Sequence, residues 1–244
     1  MKNRNLNSLI IDMIVGIILI LYIIFLYLDF YNIKFFINSY YIKYLCVLFC
    51  FLLCLRINKN SFTDIFNHRD IFLLQLAMLI TVISDFCLVI FDFYILGVFL
   101  FSLVQITYSV RFSNKKPKTI LIRFSIIFLC IVVLYSVAIL FIAGINVLFP
   151  ISLFYFICLL MSVSSAIVVW KNNSYTFFSK YMIVFGMILF LLCDICVALS
   201  NILLLLPFTG YDLEGVQQIS SFLIWVFYLP SQLLLSLSGN GKIQ

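Results

Sequence analysis

The sequence predicts an all-α membrane protein that crosses the bilayer with eight helices. Three observations support this fold class: 66% of the 244 residues are hydrophobic, only 10% are charged, and the mean hydropathy is +1.24. This composition is typical of integral membrane proteins and excludes an ordinary soluble domain. The eight cysteines lie almost entirely within apolar runs, which favours small, buried, reduced side chains over a disulfide framework.

The apolar runs predict the helices in order. A helix needs about 20 apolar residues to cross a bilayer, and runs near that length occur at 8–28, 40–56, 71–91, 93–111, 121–142, 147–170, 180–206 and 219–238. No small-residue cleavage site follows the first run, which favours an uncleaved helix over a signal peptide. The joins FDF and AGIN predict tight turns. No segment between the runs is long enough to fold alone, so residues 1–244 are predicted to form a single transmembrane domain.

The basic residues predict the orientation of these helices. If the N-terminus is cytoplasmic, thirteen of the fifteen Lys and Arg residues fall on the cytoplasmic side, and only Lys34 and Lys43 fall outside. The thirteen are Lys2, Arg4, Arg56, Lys59, Arg69, Arg111, Lys115, Lys116, Lys118, Arg123, Lys171, Lys180 and Lys242. We therefore expect a multi-pass protein of the cell membrane with both termini in the cytoplasm. The net charge of +6 then reflects topology and does not indicate a nucleic-acid partner.

Two aspartates, Asp85 and Asp194, lie inside predicted helices. Each follows the start of its predicted helix by 14 residues, or about 21 Å at 1.5 Å per residue. An ionised Asp at mid-helix costs about 2.5–3.5 kcal/mol on insertion scales. We therefore expect the two carboxyl groups to face each other or a polar cavity and to share one proton, as an acid and a base for hydrolysis. The alternative is a structural role as interhelical hydrogen-bond partners of nearby Ser, Asn or Gln side chains.

A weak internal repeat surrounds the two aspartates. The stretches "AMLITVISDFCLVI" (77–90) and "GMILFLLCDICVAL" (186–199) align without gaps. The matched positions are Met78 with Met187, Asp85 with Asp194, and Cys87 with Cys196. Both stretches belong to odd-numbered helices, so the alignment predicts a possible parallel duplication of four helices, a 4+4 repeat.

Three stretches resemble the YhhN family of eight-helix lysoplasmalogenases: "LITVISDFCLVIFDFYILGVFLFSLVQITY" (79–108), "GMILFLLCDICVALSN" (186–201) and "FYLPSQLLLSLS" (227–238). The resemblance covers essentially the whole chain, with its distinctive motifs in the third, fourth, seventh and eighth helices. It implies a hydrolase that cleaves the vinyl ether of a lysoplasmalogen-type lysophospholipid into a fatty aldehyde and a glycerophospho-base. It also implies the lipid bilayer and a lysophospholipid as partners, and it requires neither a cofactor nor a metal.

The resemblance implies Asp85 and Asp194 as the catalytic pair. The spaced motif of Gly97, Phe101, Gln105 and Tyr108 in the fourth helix and the pair Tyr228 and Gln232 in the last helix match family motifs. The predicted substrate-binding residues are Gln105, Tyr108, Asn201, Tyr228 and Gln232; the two tyrosines are equally typical of an interfacial aromatic belt.

Three residues depart from the family pattern. Gln105 occupies a position where many family members have His. Members often have Pro after the lysine at the start of the second helix, where this chain has Tyr44 after Lys43. Cys193 occupies the position of a Ser. An amide cannot titrate, so Gln105 is expected to bind or orient rather than to transfer protons. The departures indicate a divergent branch in which the activity can differ or be lost.

Other chemistry is disfavoured. Cys46, Cys50 and Cys54 form one helical stripe without a matching pair of histidines, so packing is favoured over a metal site. The chain lacks a phosphate-binding Gly-rich loop, a Ser nucleophile elbow and a zinc-protease helix. Two alternatives to the hydrolase stay open: a proton-coupled carrier of an amphipathic solute, and an inactive family member that acts as an interaction module. The head group, the chain length and the oligomeric state are also left open.

Overall fold

The structure, a computed structural model, describes residues 6–31, 39–57, 65–113, 116–141, 144, 146–171, 175–205 and 211–239. Its elements are α1 (Leu6–Phe30), α2 (Ser39–Ile57), α3 (Ile65–Asp85), a π-helical turn (Phe86–Ile90), α4 (Tyr94–Phe112), α5 (Pro117–Phe141), α6 (Leu148–Lys171), α7 (Phe177–Leu205) and α8 (Tyr211–Leu237). All eight helices are long and apolar enough to cross a membrane. The predicted fold class is therefore confirmed.

The helix boundaries differ from the apolar runs mainly at two starts. Helix α3 begins six residues and α8 eight residues before the predicted span, because polar residues at a helix end still join the backbone hydrogen-bond ladder. The orientation of the termini stays a prediction. Several basic residues on which it depends lie outside the described residues: Lys2, Arg4, Lys34, Lys59, Lys115 and Lys242. Two of the four residues of the AGIN join, positions 143 and 145, also lie outside them.

The helices form two compact units. The first unit contains α1, α2, α7 and α8, and the second contains α3 to α6 together with Tyr175. The predicted single domain and the predicted 4+4 repeat both stay predictions. Each unit is described by itself below.

In the first unit, α7 and α8 pack closely as an antiparallel pair. A Cβ added to Gly186 would lie 2.9 Å from Leu235 Cγ, so the glycine allows the helices to approach closely. Farther along α7, the hydroxyl oxygens of Ser200 and Ser221 lie 3.0 Å apart. Small residues of this kind stabilise helix pairs in membranes, where lipid offers no hydrophobic driving force for association. These contacts also fix which residues of α7 and α8 lie at the same level.

A proline inside α8 is accommodated by a tyrosine of α1. Pro230 has no N–H, so it leaves the carbonyl four residues earlier, at Val226, without its helical hydrogen bond. The Tyr22 hydroxyl donates to Val226 O at 3.0 Å and satisfies that carbonyl. The helix therefore continues through the proline, and the same hydrogen bond attaches α1 to α8.

In the second unit, α3 and α4 are joined by a tight turn. The Ser84 hydroxyl donates to Gly97 O at 2.6 Å, and a Cβ on Gly97 would lie only 2.4 Å from Leu88 Cγ. Asp92, within the turn, has a φ of 55°, a left-handed conformation that Asp tolerates better than most residues. Helices α4, α5 and α6 then close over an apolar cluster that contains Val110, Ile120, Phe124, Ile131, Phe154 and Cys158.

A buried polar cluster ties the beginning of α3 to the end of α4. Arg111 donates to Asp70 Oδ2 from Nε at 3.2 Å and from Nη2 at 3.1 Å. The Tyr175 hydroxyl donates to the other carboxylate oxygen of Asp70. All three side chains are buried. The carboxylate thus receives donors on both oxygens, which offsets the desolvation of a buried ion pair.

The cysteines are all free thiols, and seven of them are buried as predicted. Cys130 on α5 is the exception, because it is exposed. Helix α5 buries only the face that carries Ile120, Phe124 and Ile131, and Cys130 lies off that face. Its apolar setting therefore comes from the expected lipid environment and not from packing.

The contact between Tyr22 and the carbonyl freed by Pro230 predicts a coupled pair of substitutions. Tyr22→Phe should lower the free energy of unfolding by about 0.5–1.5 kcal/mol, because it removes the hydrogen bond of a partly buried carbonyl that has no helical donor. In a Pro230→Ala background the helix can supply its own N–H, so the same tyrosine substitution should cost much less. Thermal unfolding in detergent of the single and double variants measures this coupling. Equal costs in both backgrounds would contradict it.

The Asp70 cluster predicts an alkaline stability effect. Burial and the adjacent Asp70 carboxylate raise the pKa of the Tyr175 hydroxyl, although Arg111 opposes the shift. The unfolded chain releases this proton near pH 10.0 while the folded chain retains it, so folding stability is retained below that pH and lost as the pH rises above it. Between about pH 8 and about pH 11, the unfolding temperature of the native protein should fall more than that of Tyr175→Phe.

The matched control is Tyr27→Phe, an exposed tyrosine of α1 in the other unit. It should lose stability with pH in parallel with the native protein. Below pH 10, Tyr175→Phe should be less stable than the native protein, because it removes one donor from a buried carboxylate. The same alkaline loss in Tyr175→Phe as in the native protein would be evidence against the assignment.

Candidate active site

Asp85 is the last α-helical residue of α3 and directly precedes the π turn. Its side chain is 3% exposed, within a membrane-spanning segment. π turns inside helices are rare and frequently mark functional sites. The neighbouring Ser84 is tied to the backbone of α4, so the position of Asp85 is fixed by the α3–α4 turn. This arrangement suits a carboxyl group that exchanges a proton in a dry environment.

Asp194 is half-buried on α7. The helices begin earlier than the sequence predicted, so Asp194 follows the first residue of α7 by 17 residues and Asp85 follows the first residue of α3 by 20. Counted from the apolar spans, which start at Phe177 and His68, the offset is 17 residues in both cases. Each offset is therefore three residues longer than the predicted 14, and the two offsets are again equal. The pairing of Asp85 with Asp194 stays a prediction.

Helix α8 carries an aromatic and an amide side chain, Tyr228 and Gln232, near the level of Asp194 on α7. The Tyr228 ring packs edge-on against Phe190, with centroids 5.9 Å apart, and Asp194 follows Phe190 by about one helical turn. Because α7 and α8 are antiparallel, Asp194 falls near the level of Tyr228, and Gln232 lies about one turn, roughly 6 Å, away along α8. The structure thus brings three predicted site residues to neighbouring levels of one helix pair.

Gln232 and Ser231 carry buried polar atoms without partners. Both side chains are fully buried. Neither the oxygen nor the nitrogen of the Gln232 amide, nor the Ser231 hydroxyl, has a hydrogen-bond partner among the described residues. Such groups are rare in folded proteins and usually indicate a bound water or ligand, because an unsatisfied buried polar group costs about 1–3 kcal/mol. Sequence reasoning identified Gln232 but missed Ser231, which has no motif of its own.

A similar amide lies on α4 of the second unit. Gln105 is fully buried and accepts a hydrogen bond from the Ser162 hydroxyl of α6 at 2.6 Å, while its Nε2 has no partner among the described residues. The Ser162 donor fixes the amide so that its N–H₂ group is available to a ligand. Gln105 can therefore donate hydrogen bonds, which fits the predicted binding role and excludes a titrating one.

The other two predicted binding residues lie in different settings. Tyr108 is fully buried on α4, where its hydroxyl donates to Met78 Sδ at 3.5 Å and its ring stacks on Phe112 with centroids 5.6 Å apart. These contacts exclude the predicted alternative of an interfacial belt residue. Asn201 is exposed near the end of α7, and its Nδ2 donates to Val197 O of the same helix at 2.8 Å. The binding roles of both residues stay predictions.

Sequence reasoning missed a buried ion pair in the first unit. Lys43 Nζ of α2 lies 2.7 Å from Asp29 Oδ2 of α1. The one available signal was that Lys43 is predicted to lie on the outer side of the membrane, whereas most basic residues are predicted to be cytoplasmic. The Asp70 cluster gave no such signal, because its three members are far apart in sequence and each lies beside a loop.

No metal centre is assembled by the part of the chain that the structure describes, since no group of three or more His, Cys, Asp or Glu side chains there could hold a metal ion. The predicted absence of a metal and of other cofactors stays a prediction. The acid–base chemistry available to Asp85 and Asp194 needs neither.

Comparison with known proteins assigns the chain to a family. The model of the YhhN family matches residues 38–239, a range that includes both aspartates and every predicted binding residue. No curated protein matches the chain, and no solved structure matches it either. Because the matched range covers most of the sequence, the chain belongs to the YhhN family.

Proposed function

We propose that this protein hydrolyses the vinyl ether of lysoplasmalogen-type lysophospholipids within the membrane, with Asp85 and Asp194 as an acid–base pair. The observation that carries the proposal is the Asp85 carboxyl group, which is 3% exposed inside a span and lies at the start of a π turn. Ionisable groups inside membrane helices are expensive and typically functional. YhhN family membership and the resemblance described above supply the reaction class.

The first step is protonation of the substrate. A neutral aspartic acid donates its proton to the alkenyl carbon that is β to the ether oxygen. The double-bond electrons form the new C–H bond, and the adjacent carbon becomes an oxocarbenium ion. The second aspartate, ionised, stabilises that cation electrostatically, as paired carboxylates do at glycosidic bonds.

The second step is hydration. The ionised aspartate removes a proton from water as the water oxygen bonds to the cationic carbon, which gives a hemiacetal. In the collapse of the hemiacetal, the second aspartic acid donates its new proton to the glycerol oxygen, and the C–O bond to glycerol breaks. The first aspartate accepts the hemiacetal hydroxyl proton, and the fatty aldehyde and the glycerophospho-base are released. One water is consumed, and both carboxyl groups return to their starting protonation states.

The unsatisfied amides support this chemistry, because hydrolysis inside a bilayer needs places where water and substrate hydroxyl groups can bind. Gln232 and Ser231 offer one acceptor amide oxygen, one amide N–H₂ group and one hydroxyl about one turn from the level of Asp194. Gln105 offers an N–H₂ group on α4, which follows α3 and the π turn along the chain. We assign these residues to binding and not to proton transfer.

A second candidate, a proton-coupled carrier, is favoured by one observation. The π turn that follows Asp85 interrupts a membrane-spanning helix beside an ionisable group, and carriers bind coupling ions at broken helices. Pro230, in contrast, lies within a continuous α8. We prefer the hydrolase because the family resemblance extends to both aspartates.

The hydrolase proposal predicts that both aspartates are required for aldehyde release. Purified protein incubated with a lyso-alkenyl phospholipid should release fatty aldehyde. Asp85→Asn and Asp194→Asn should each reduce turnover by at least about 100-fold, since general acid–base catalysis contributes about 10²–10⁴-fold. The measurement is the rate of aldehyde formation in detergent or proteoliposomes.

Asp12→Asn is the matched control, because Asp12 is an exposed aspartate on α1 and should be dispensable. The saturated 1-O-alkyl analogue should not be cleaved, because it has no double bond to protonate. Equal turnover in the native protein and in both catalytic variants would exclude the roles proposed for the aspartates. Proton uptake driven by a solute, without aldehyde release, would favour the carrier.

The shared proton predicts a spectroscopic signal. At neutral pH, infrared spectra should contain the C=O stretch of one protonated carboxyl group that disappears in Asp85→Asn or in Asp194→Asn, because a low dielectric disfavours two adjacent charges. Spectra in which both carboxyl groups are ionised near neutral pH would remove this part of the mechanism.

A further inference from the structure

Lys43 of the first unit has no role in the hydrolysis described above, although it is buried and charged. Its ammonium lies 2.7 Å from Asp29 Oδ2, and the two side chains are 6% and 19% exposed. Both residues lie within membrane-spanning segments. Desolvation of such a pair offsets much of its Coulombic attraction, and replacement of a buried ion pair by apolar residues is often neutral or stabilising. Stability alone therefore gives a weak reason for the pair.

Three aromatic rings surround the ammonium group. Lys43 Nζ lies 5.8 Å from the ring centroid of Phe25 on α1, 5.2 Å from that of Tyr40 on α2, and 5.0 Å from that of Trp225 on α8. These distances are within the range of cation–π attraction. We call these five side chains, Asp29, Lys43, Phe25, Tyr40 and Trp225, the cation box. It draws on three helices of the first unit.

The cation box retains unused hydrogen-bonding capacity of both signs. An ammonium has three N–H donors, and a carboxylate can accept about four hydrogen bonds. Among the described residues, Asp29 is the one ion-pair partner of Lys43, and three aromatic rings lie within cation–π distance of its ammonium. Asp29 is the more exposed partner of the ion pair, and Tyr40, whose ring faces the ammonium, is 52% exposed. A ligand would therefore approach from the Asp29 and Tyr40 side.

We propose that the cation box binds a zwitterionic phosphodiester head group that carries a protonated primary amine. A phosphate oxygen of the head group accepts from Lys43 Nζ. The amine donates to Asp29 and lies against the faces of Tyr40 and Trp225. A phosphoglycerol head group would satisfy Lys43 but would bring its negative charge to Asp29 without a compensating amine. A quaternary ammonium would contact the rings but could not donate to the carboxylate.

The position of Trp225 connects this binding site to the reaction, and that connection rests on the proposed function. The Trp225 ring packs edge-on against Tyr228 with centroids 5.5 Å apart, and Tyr228 lies near the level of Asp194. A head group in the cation box would thus leave the ether linkage, one glycerol unit away, on the Tyr228 side. Phosphoethanolamine occurs both on two-chain bilayer lipids and on single-chain lysolipids, and the two sources can be tested separately.

The test uses a ligand that the proposed reaction cannot consume, 1-O-alkyl lysophosphoethanolamine. The full-length protein in detergent should bind it at least about 10-fold more tightly than the phosphoglycerol analogue of equal chain length, a difference of about 1.4 kcal/mol. Asp29→Asn and Lys43→Met should each reduce this preference to about 2-fold or less. Lys171→Met, which removes the lysine at the end of α6, is the matched control and should keep the preference.

A readout at the site itself covers the case in which a variant fails to fold. The chain has two tryptophans, so Trp170→Phe leaves Trp225 as the single indole fluorophore. The phosphoethanolamine ligand should change Trp225 emission, and an alkylglycerol without a head group should not. An unchanged head-group preference in folded Asp29→Asn and Lys43→Met, or binding without any response from Trp225, would overturn the proposal.

The outcomes separate this proposal from the hydrolase itself. Asp85→Asn and Asp194→Asn should keep the preference for phosphoethanolamine over phosphoglycerol, whatever their effect on aldehyde release, because neither residue belongs to the cation box. Aldehyde release without head-group preference would overturn the cation box and leave the hydrolase in place. Head-group preference without aldehyde release would overturn the hydrolase and leave the cation box in place. Tighter binding of two-chain than of single-chain phosphoethanolamine lipid would overturn the connection to the reaction.

Discussion

Polar groups inside a bilayer must be satisfied within the protein, and most of the distinctive features of this structure follow from that constraint. The carbonyl released by Pro230 is capped by Tyr22. Arg111 and Tyr175 supply donors to both oxygens of Asp70. Each of these contacts joins different helices or the two ends of a unit. The same hydrogen bonds that prevent an electrostatic penalty therefore also fix the helix packing in each unit.

Against this background, the few unsatisfied or charged groups become informative. Gln232, Ser231 and the nitrogen of Gln105 are buried without partners among the described residues, while Asp85 is buried at a helix irregularity. A membrane protein with only structural requirements could replace these side chains with apolar ones of similar volume. The unsatisfied groups lie on α4 and α8, the helices that pack against the two that carry Asp85 and Asp194. The proposed hydrolysis needs such groups, because water and a polar substrate must bind at a site within the membrane.

The spans were predictable from sequence because bilayer thickness sets helix length directly, and apolar runs therefore mark helices without any knowledge of packing. Asp85 and Asp194 could be proposed as site residues from the same apolar runs, because they are acidic side chains inside them. Contacts between residues far apart in sequence could not be predicted. Asp70 and Arg111 are separated by 41 positions, and no local sequence pattern indicates such a pair. The exposure of Cys130 depends on tertiary packing, and so does the face that each helix turns toward its neighbours. Hydropathy does not encode this packing.

The pairing of Lys43 with Asp29 illustrates the limit most clearly. Asp29 lies near the end of one membrane-spanning segment and Lys43 near the start of the next. In the sequence alone, each resembles an ordinary charged residue at a membrane boundary. Only the folded unit, with Trp225 supplied from the other end of the chain, turns them into one buried group.

The π turn after Asp85 has a consequence for how related sequences should be compared. An α-helix rotates by about 100° per residue, so the additional residue accommodated in a π turn shifts the phase of everything beyond it. Loss of one residue between Phe86 and Ile90 would restore a regular helix, swing Leu88 away from Gly97, and leave Asp85 where it is. Alignments of homologues should therefore allow a single-residue gap here. Sequences with the gap would keep the carboxylate but lose the π turn, and sequences without it would keep both.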